Sequence, residues 1–346
     1  MHMILFSRKA YSVLCLLAAA LLMSITTAYA AERYVFISHA PDSDTWWTTI
    51  KNSLKQASED FGVSVDYKNP KKGDIDEMAR IIDESAAQKY DGMIVTIADY
   101  AILKSHLKEV VDKWHIPLVT VNSGTEEQSE SVGALLHIGQ PEHFAGLNAG
   151  AKAKTAGIKS FICFNHYSNN LASHERCKGF ADGLGLTSFE EVNLTGDDRE
   201  MQNTITNYLT THNTEAILAL GTTSAQPTLA ALREIKSAKT PYFVTFDLSS
   251  QITEGIRKGA IAFAIDQQPY LQGYLAVGLL AKRKSVEEGE LKMVKAVLYS
   301  QPKLHARMAT YGLMPLFFGA RHIKSGPAFV NRNNVDKVEI YSGTYR

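Results

Sequence analysis

Short apolar runs alternate with amphipathic stretches along this chain, and the alternation occurs twice. Tyr34–Ile37, Val63–Tyr67, Gly92–Thr96 and Pro117–Asn122 read as strands. Between the first two, Trp46, Ile50, Leu54, Ala57 and Phe61 recur at three- and four-residue spacings, one face of a helix. Ile75, Met78, Ile82 and Ala86 form a second such face behind Asp74 and Glu77, which are spaced as a capping box. A third helix is expected from Ala101 to Trp114. The second run has strands at Ser160–Phe164, Glu190–Leu194, Ala216–Leu220 and Pro241–Asp247, with helices at Ser173–Leu184, Met201–Thr211 and Gln226–Lys236. Strands alternating with helices imply parallel sheets covered on both faces. The Pro-led strands that end at Asn122 and Asp247 resemble one another, which suggests two similar lobes.

The opening residues read as an export signal. Arg8 and Lys9 precede an apolar run from Tyr11 to Met23, short and wrongly flanked for a membrane span, and Ala28-Tyr29-Ala30 supplies the small residues a signal peptidase needs. Residues 1–30 are therefore expected to be a signal peptide, cleaved after Ala30. Cys15 follows Leu14 rather than a small residue, so lipidation there is not expected. The remaining 316 residues, 31–346, exceed what one core usually fills. Losing Arg8 and Lys9 leaves 34 basic residues against 36 acidic ones, a net charge of −2 that argues against a nucleic-acid partner. Two cysteines remain, Cys163 and Cys177. An even pair in an oxidising compartment favours a disulfide, two buried free thiols being the alternative.

In a parallel α/β sheet, ligands bind where turns gather at the carboxyl ends of strands. Those positions hold Asp42, Ser43, Asp44, Trp46 and Trp47 after the first strand, Asp99 after the third, and Asn122 and Ser123 after the fourth. The second run offers Asn165, His166, Asn169 and Asn170, then Thr222, Thr223 and Asp247, with Gln267 and Gln268 after Ile261–Ile265. Amides, carboxylates and hydroxyls beside indole rings suit a polyhydroxylated ligand, whose hydroxyls need planar partners and whose C–H faces need flat ones. Trp46 lies on the apolar stripe of its helix and Trp47 about 100° off it, so Trp47 is the expected stacking residue. Asp44 also suits an N-cap, and Asn122 and Asp247 suit turns.

Enzyme signatures are missing. There is no Gly-x-Ser-x-Gly elbow and no His-Glu-x-x-His helix, and Gly146–Lys152 lacks the spacing of a phosphate-cradling loop. His137 and His143 are poorly spaced as a metal pair. No catalytic residue, metal or cofactor is expected.

These features, in order, resemble the ribose- and galactose-binding class of periplasmic solute-binding proteins. The resemblance rests on the export signal, Ser38–Trp47, Ile116–Asn122, His137-Ile138-Gly139 with Ala145-Gly146 and Ala149-Gly150, Glu175–Phe180, Phe246-Asp247, and Ala264–Pro269. It implies two Rossmann-like lobes, each a parallel sheet flanked by helices, joined by a three-segment hinge with the ligand cleft between them. The implied lobes are 31–137 with 268–322 and 138–267 with 323–346, the crossings lying near His137-Ile138, Asp266–Gln268 and His322–Gly326. It further implies ligand contacts from Asp44, Trp46, Trp47, Asn122, Ser123, Asn170, Arg176, Asp247 and Gln267, to which Thr222 adds a strand-end hydroxyl. Asn122-Ser123 and Gly221-Thr222 depart from the ribose-binding pattern, which leaves pentose, hexose, polyol, sugar acid and nucleoside all open.

The implied role is that of a monomeric periplasmic protein without a cofactor, closing on its ligand and delivering it to the inner-membrane permease of an ABC transporter. The alternative is presentation of ligand to a chemoreceptor or sensor kinase. Residues 286–316 have no assignment.

Overall fold

A computed structural model of the chain describes residues 31–168, 170–235, 240–284, 291–314 and 317–346. The expected signal peptide and Asn169 lie outside the described residues. The first run contains β1 (Arg33–Ile37), α1 (Thr48–Phe61), β2 (Ser64–Lys68), α2 (Ile75–Ala87), β3 (Gly92–Val95), α3 (Tyr100–Asp112), β4 (Leu118–Val121), α4 (Glu126–Ser131) and β5 (His137–Gly139). The second contains α5 (Glu142–Thr155), β6 (Ile162–Asn165), α6 (Leu171–Leu184), β7 (Glu190–Asn193), α7 (Asp198–Thr211), β8 (Ala216–Ala219), α8 (Thr222–Ile235), β9 (Tyr242–Phe246), α9 (Ser250–Lys258) and β10 (Phe263–Asp266). After these come α10 (Pro269–Arg283), α11 (Leu291–Tyr299), α12 (Pro302–Tyr311), β11 (Phe317–Phe318), β12 (His322–Lys324), β13 (Ala328–Asn331) and α13 (Val335–Val338).

Two sheets result. One runs β2-β1-β3-β4-β5-β12-β11 and the other β7-β6-β8-β9-β10-β13. Both are parallel except for the edge pairs β11–β12 and β10–β13. The inner strands are buried on both faces, as in β1, where Tyr34 and Phe36 point to one apolar cluster and Val35 and Ile37 to another. The expected fold class, two similar α/β lobes with helices on both faces of each sheet, is the one observed. β4 and β9 hold the same place in their sheets, so Asn122 and Asp247 follow equivalent strands.

The chain passes between the lobes three times: after β5 at Gln140-Pro141, after β10 at Gln267-Gln268, and between β12 and β13 at Ser325–Pro327. β5 and β12 belong to the first sheet throughout, so the first passage comes about three residues after His137-Ile138 and the third falls at the end of His322–Gly326. Hydrogen bonds tie the passages together. Ser325 N donates to Gly139 O (3.0 Å), and Ser325 Oγ donates to Gln267 O (2.8 Å).

Residues 291–314, within the unassigned stretch, build two helices against the first lobe. Val294, Leu298, Leu304, Met308 and Tyr311 join the core that contains Tyr270 and Tyr274. The final residues return to the same lobe: Tyr341 and Tyr345 pack on that core, and Asn52 Nδ2 donates to Thr344 O (2.9 Å). Arg346 is buried and joins the two lobes, its Nη1 donating to Tyr311 O (3.1 Å) in the first and its Nε to Asp266 Oδ2 (2.7 Å) at the end of β10 in the second. The last turns thus lie on the first lobe, whereas the sequence reading assigned them with β13 to the second.

Cys163 on β6 and Cys177 on α6 form a disulfide, with Cα atoms 6.0 Å apart. It pins a helix that also packs unusually close to α5. A Cβ on Gly150 would stand 2.1 Å from Phe180 O, and one on Gly179 2.1 Å from His143 O, both backbone atoms that cannot rotate away. Gly150→Ala is therefore expected to force the helices apart and cost about 1–3 kcal/mol, read as a lower urea midpoint. An unchanged midpoint would show that the helix pair separates freely.

Candidate functional site

The carboxyl ends of the two sheets face each other across a cavity of about 50 Å³, a few times the ~10–15 Å³ one water requires. All ten residues expected from sequence line it. Asp44, Trp46, Trp47, Asn122 and Ser123 come from the first lobe. Asn170, Arg176, Thr222 and Asp247 come from the second, and Gln267 from the passage between them.

Backbone geometry at the two equivalent strand ends is uncommon. Asn122 has φ 62° and Asp247 φ 65°, the left-handed region that Asn and Asp tolerate better than other non-glycine residues. Each turn aims a short polar side chain into the cleft. Asn122 Nδ2 donates to Gln267 Oε1 (3.0 Å), and Gln267 Nε2 donates to Asp247 Oδ1 (2.6 Å). The equivalent ends are thus wired to each other through a residue of the hinge. Asp247 Oδ2 lies against Gly221, where a Cβ would stand 3.1 Å from it and 3.0 Å from the His166 ring.

Direct contacts close the lobes on each other. Tyr167 OH donates to Asp44 Oδ2 (3.1 Å), and Asn170 Nδ2 donates to Ser123 Oγ (3.3 Å). Asn170 is also the N-cap of α6, accepting from Ala172 N, and Asp44 caps a 3₁₀ turn at Thr45–Trp47, accepting from Trp46 N. Capping and cavity lining are therefore not alternatives here. A cap side chain stands at the mouth of a helix, which is where the cleft is.

Charge in the site is tightly arranged. Arg176 is buried and donates from Nε and Nη2 to the two oxygens of Glu142 (2.7 and 2.8 Å) and from Nη1 to Leu220 O (2.8 Å), with its plane 4.4 Å from the Phe246 ring centroid. Burial pushes the Asp247 carboxyl up to about 7, against the pull of Arg176 and Gln267. Burial also raises Asp44, against hydrogen bonds from Trp46, Tyr167 and Trp47. His39 and His166 are lowered by burial to about 4 and about 3, the second helped by Arg176. His166 Nδ1 is buried without a hydrogen-bond partner among the described residues.

One expectation is reversed. Trp47 is buried in the first-lobe core, edge-on to Phe36 at 6.4 Å between centroids, while Trp46 is only partly buried. The sequence reading ran the helical stripe back through Trp46, but α1 begins at Thr48 and the preceding 3₁₀ turn shifts the phase. Asp99 does not reach the cavity; it caps α3, accepting from Ile102 N. Asn165 instead holds Tyr167 N and Glu191, and Gln268 serves the hinge. The reading missed His39, Tyr167 and Glu142. Each follows a strand or crossing by a few residues, within reach of the strand-end rule. Among the described residues, no group of three or more His, Cys, Asp or Glu side chains gathers as a metal site.

Comparison with known proteins agrees with this geometry. The ribose import binding protein of Haemophilus influenzae is 22% identical over 278 residues, covering 78% of this chain and 92% of that protein. The crystal structure of a carbohydrate transporter from Acidothermus cellulolyticus, in complex with myo-inositol, matches with a TM-score of 0.77 at 28% identity, over 91% of this chain and all of that one. A glucose-galactose binding protein from Geobacillus stearothermophilus shares the fold at a TM-score of 0.67 and 20% identity, over 88% of this chain and 99% of that one. Residues 34–286 match the periplasmic binding protein domain, and the chain belongs to that family.

Proposed function

We propose that this protein is the ligand-receiving subunit of an ABC importer, taking a monosaccharide or cyclic polyol between its lobes and passing it to a permease in the inner membrane. The observation that carries the reading is that ten polar and aromatic residues from the strand ends of both lobes line one cavity. A relative with myo-inositol bound, and 28% identical, supports the ligand class. Cleavage after Ala30 releases a monomeric protein into the periplasm. The three passages act as the hinge, and the ligand favours closure because only the closed form offers it groups from both lobes. Asp247, Asn122 and Gln267 hold hydroxyls, and Trp46 covers a ring face.

Calorimetric titration with myo-inositol, galactose, glucose, arabinose and ribose tests this. At least one is expected to bind at micromolar affinity or better and to raise the melting temperature; no binding across the set would remove the reading. The two tryptophans separate site from scaffold. Trp46→Ala is expected to weaken binding about tenfold or more through lost ring contact with little change in stability. Trp47→Ala is expected to cost about 3–5 kcal/mol of stability through the cavity it leaves in the core. Equal effects on stability would show that both rings are structural.

A further inference from the structure

Charge around the cavity separates ligands that the fold alone treats alike. Three carboxylates line it: Asp44 from the first lobe, and Glu142 and Asp247 from the second. One guanidinium opposes them, and it is already committed. Arg176 closes its Nε–Nη2 edge on both oxygens of Glu142 and gives Nη1 to Leu220 O. The two imidazoles at the wall, His39 and His166, are held neutral by burial. With Glu142 and Arg176 cancelling, the unbalanced groups are Asp44 and Asp247, one from each lobe, and Asp247 carries its charge above about pH 7.

We propose that the cleft selects by charge, accepting uncharged or amine-bearing polyols and turning away their carboxylated and phosphorylated derivatives. This rests on the polyol reading above and narrows it. The acceptors are in place: Asp247 Oδ2 lies beside Gly221 at the cavity, and among the described residues Asp44 accepts from the hydroxyl of Tyr167, the Trp46 N–H and the Trp47 indole. Hydroxyls and ammonium groups donate to carboxylates, and a sugar carboxylate cannot. His166 Nδ1, buried and unpartnered among the described residues, offers one further polar contact that suits a neutral hydroxyl, which either donates or accepts. An anion inside would add a like charge to two carboxylates in a site where water screens little, with no free guanidinium fork to receive it.

The test is calorimetric titration of the mature protein at pH 8, where the Asp247 carboxyl is ionised, with matched sets: glucose, glucosamine and glucuronate; galactose, galactosamine and galacturonate; ribose and ribose 5-phosphate; and myo-inositol with its monophosphate. For any skeleton that binds, the acid or phosphate is expected to bind about 100-fold more weakly than its neutral parent. In Asp44→Asn and Asp247→Asn that ratio is expected to shrink to about tenfold or less, with melting curves confirming that each variant is folded. A sugar acid or phosphate binding as well as its parent, or a ratio unmoved in the double variant, overturns the charge rule and leaves the polyol reading standing. If no skeleton binds, the polyol reading falls and the charge rule with it.

Discussion

Asp247→Asn is expected to make the protein more stable at pH 8 and worse at binding. Asp247 is buried, and its carboxyl sits at about 7 rather than the ordinary 3.8. A carboxyl raised on folding contributes its stability in full below the unfolded value and loses it as pH climbs through the folded value. Above pH 7 the folded protein therefore carries an ionised group that the unfolded chain solvates far better. At about 1.4 kcal/mol for each pH unit between the two values, the penalty is on the order of 4 kcal/mol at pH 8. An asparagine keeps the oxygen that accepts from Gln267 Nε2 and removes the charge. Melting curves at pH 8 should rise by several degrees in the variant, and the advantage should fade toward pH 5, where the native carboxyl is protonated. Ligand affinity should fall about 10- to 100-fold, the worth of a charged hydrogen bond in a closed site. A variant less stable than the parent at both pH values would show that the ionised carboxylate is favourable where it stands. The expected exchange of stability for binding is a common mark of functional sites.

The second large effect lies at the hinge. Arg346 and Asp266 are both nearly inaccessible, with side-chain exposures of 3% and 2%. Asp266 accepts from Arg346 Nε (2.7 Å) through one oxygen and from Gln268 N (2.7 Å) through the other. Arg346 also donates from Nη1 to Tyr311 O (3.1 Å) and to Gly312 O. Removing one partner of such a pair strands the other charge in a medium that cannot solvate it. Arg346→Ala should cost about 3–5 kcal/mol. The double variant Arg346→Met with Asp266→Asn should recover more than half, because no uncompensated charge is left. Urea denaturation reads both. A single variant within experimental error of the parent would mean water reaches Asp266. Because Asp266 immediately precedes Gln267, which joins Asn122 to Asp247, affinity should fall in the single variant as well.

Much of this architecture was legible in the residues because parallel strands buried on both faces must be apolar throughout. Tyr34–Ile37 and Ala216–Leu220 have no other economical reading. The candidate site was legible for a related reason: residues just past those strands cannot join the ladder, and many polar side chains there face the cleft, though Asp99, Asn165 and Gln268 serve a cap, a turn and the hinge instead. What escaped depends on packing between distant segments. Nothing near Trp46 and Trp47 announces a 3₁₀ turn, yet that turn decides which indole is core. The amphipathic pattern of 291–314 identifies helices without saying which lobe receives them. The return of Tyr341, Tyr345 and Arg346 to the first lobe depends on contacts with Tyr270 and Tyr311, in other segments of the chain.

The threefold passage between lobes bears on how the protein is made. The first sheet is finished only when β12 arrives and the second only when β13 arrives, while α10 fills the first core after the second lobe is nearly done. A nascent chain that has emerged as far as α9 can complete neither half. Local βαβ units can form early, but the pairings that seal each sheet, β5 with β12 and β10 with β13, are long-range and come last. Such an order of assembly delays the closing of both sheets, and a chain whose sheets are still open is one that can be threaded through a narrow secretion channel.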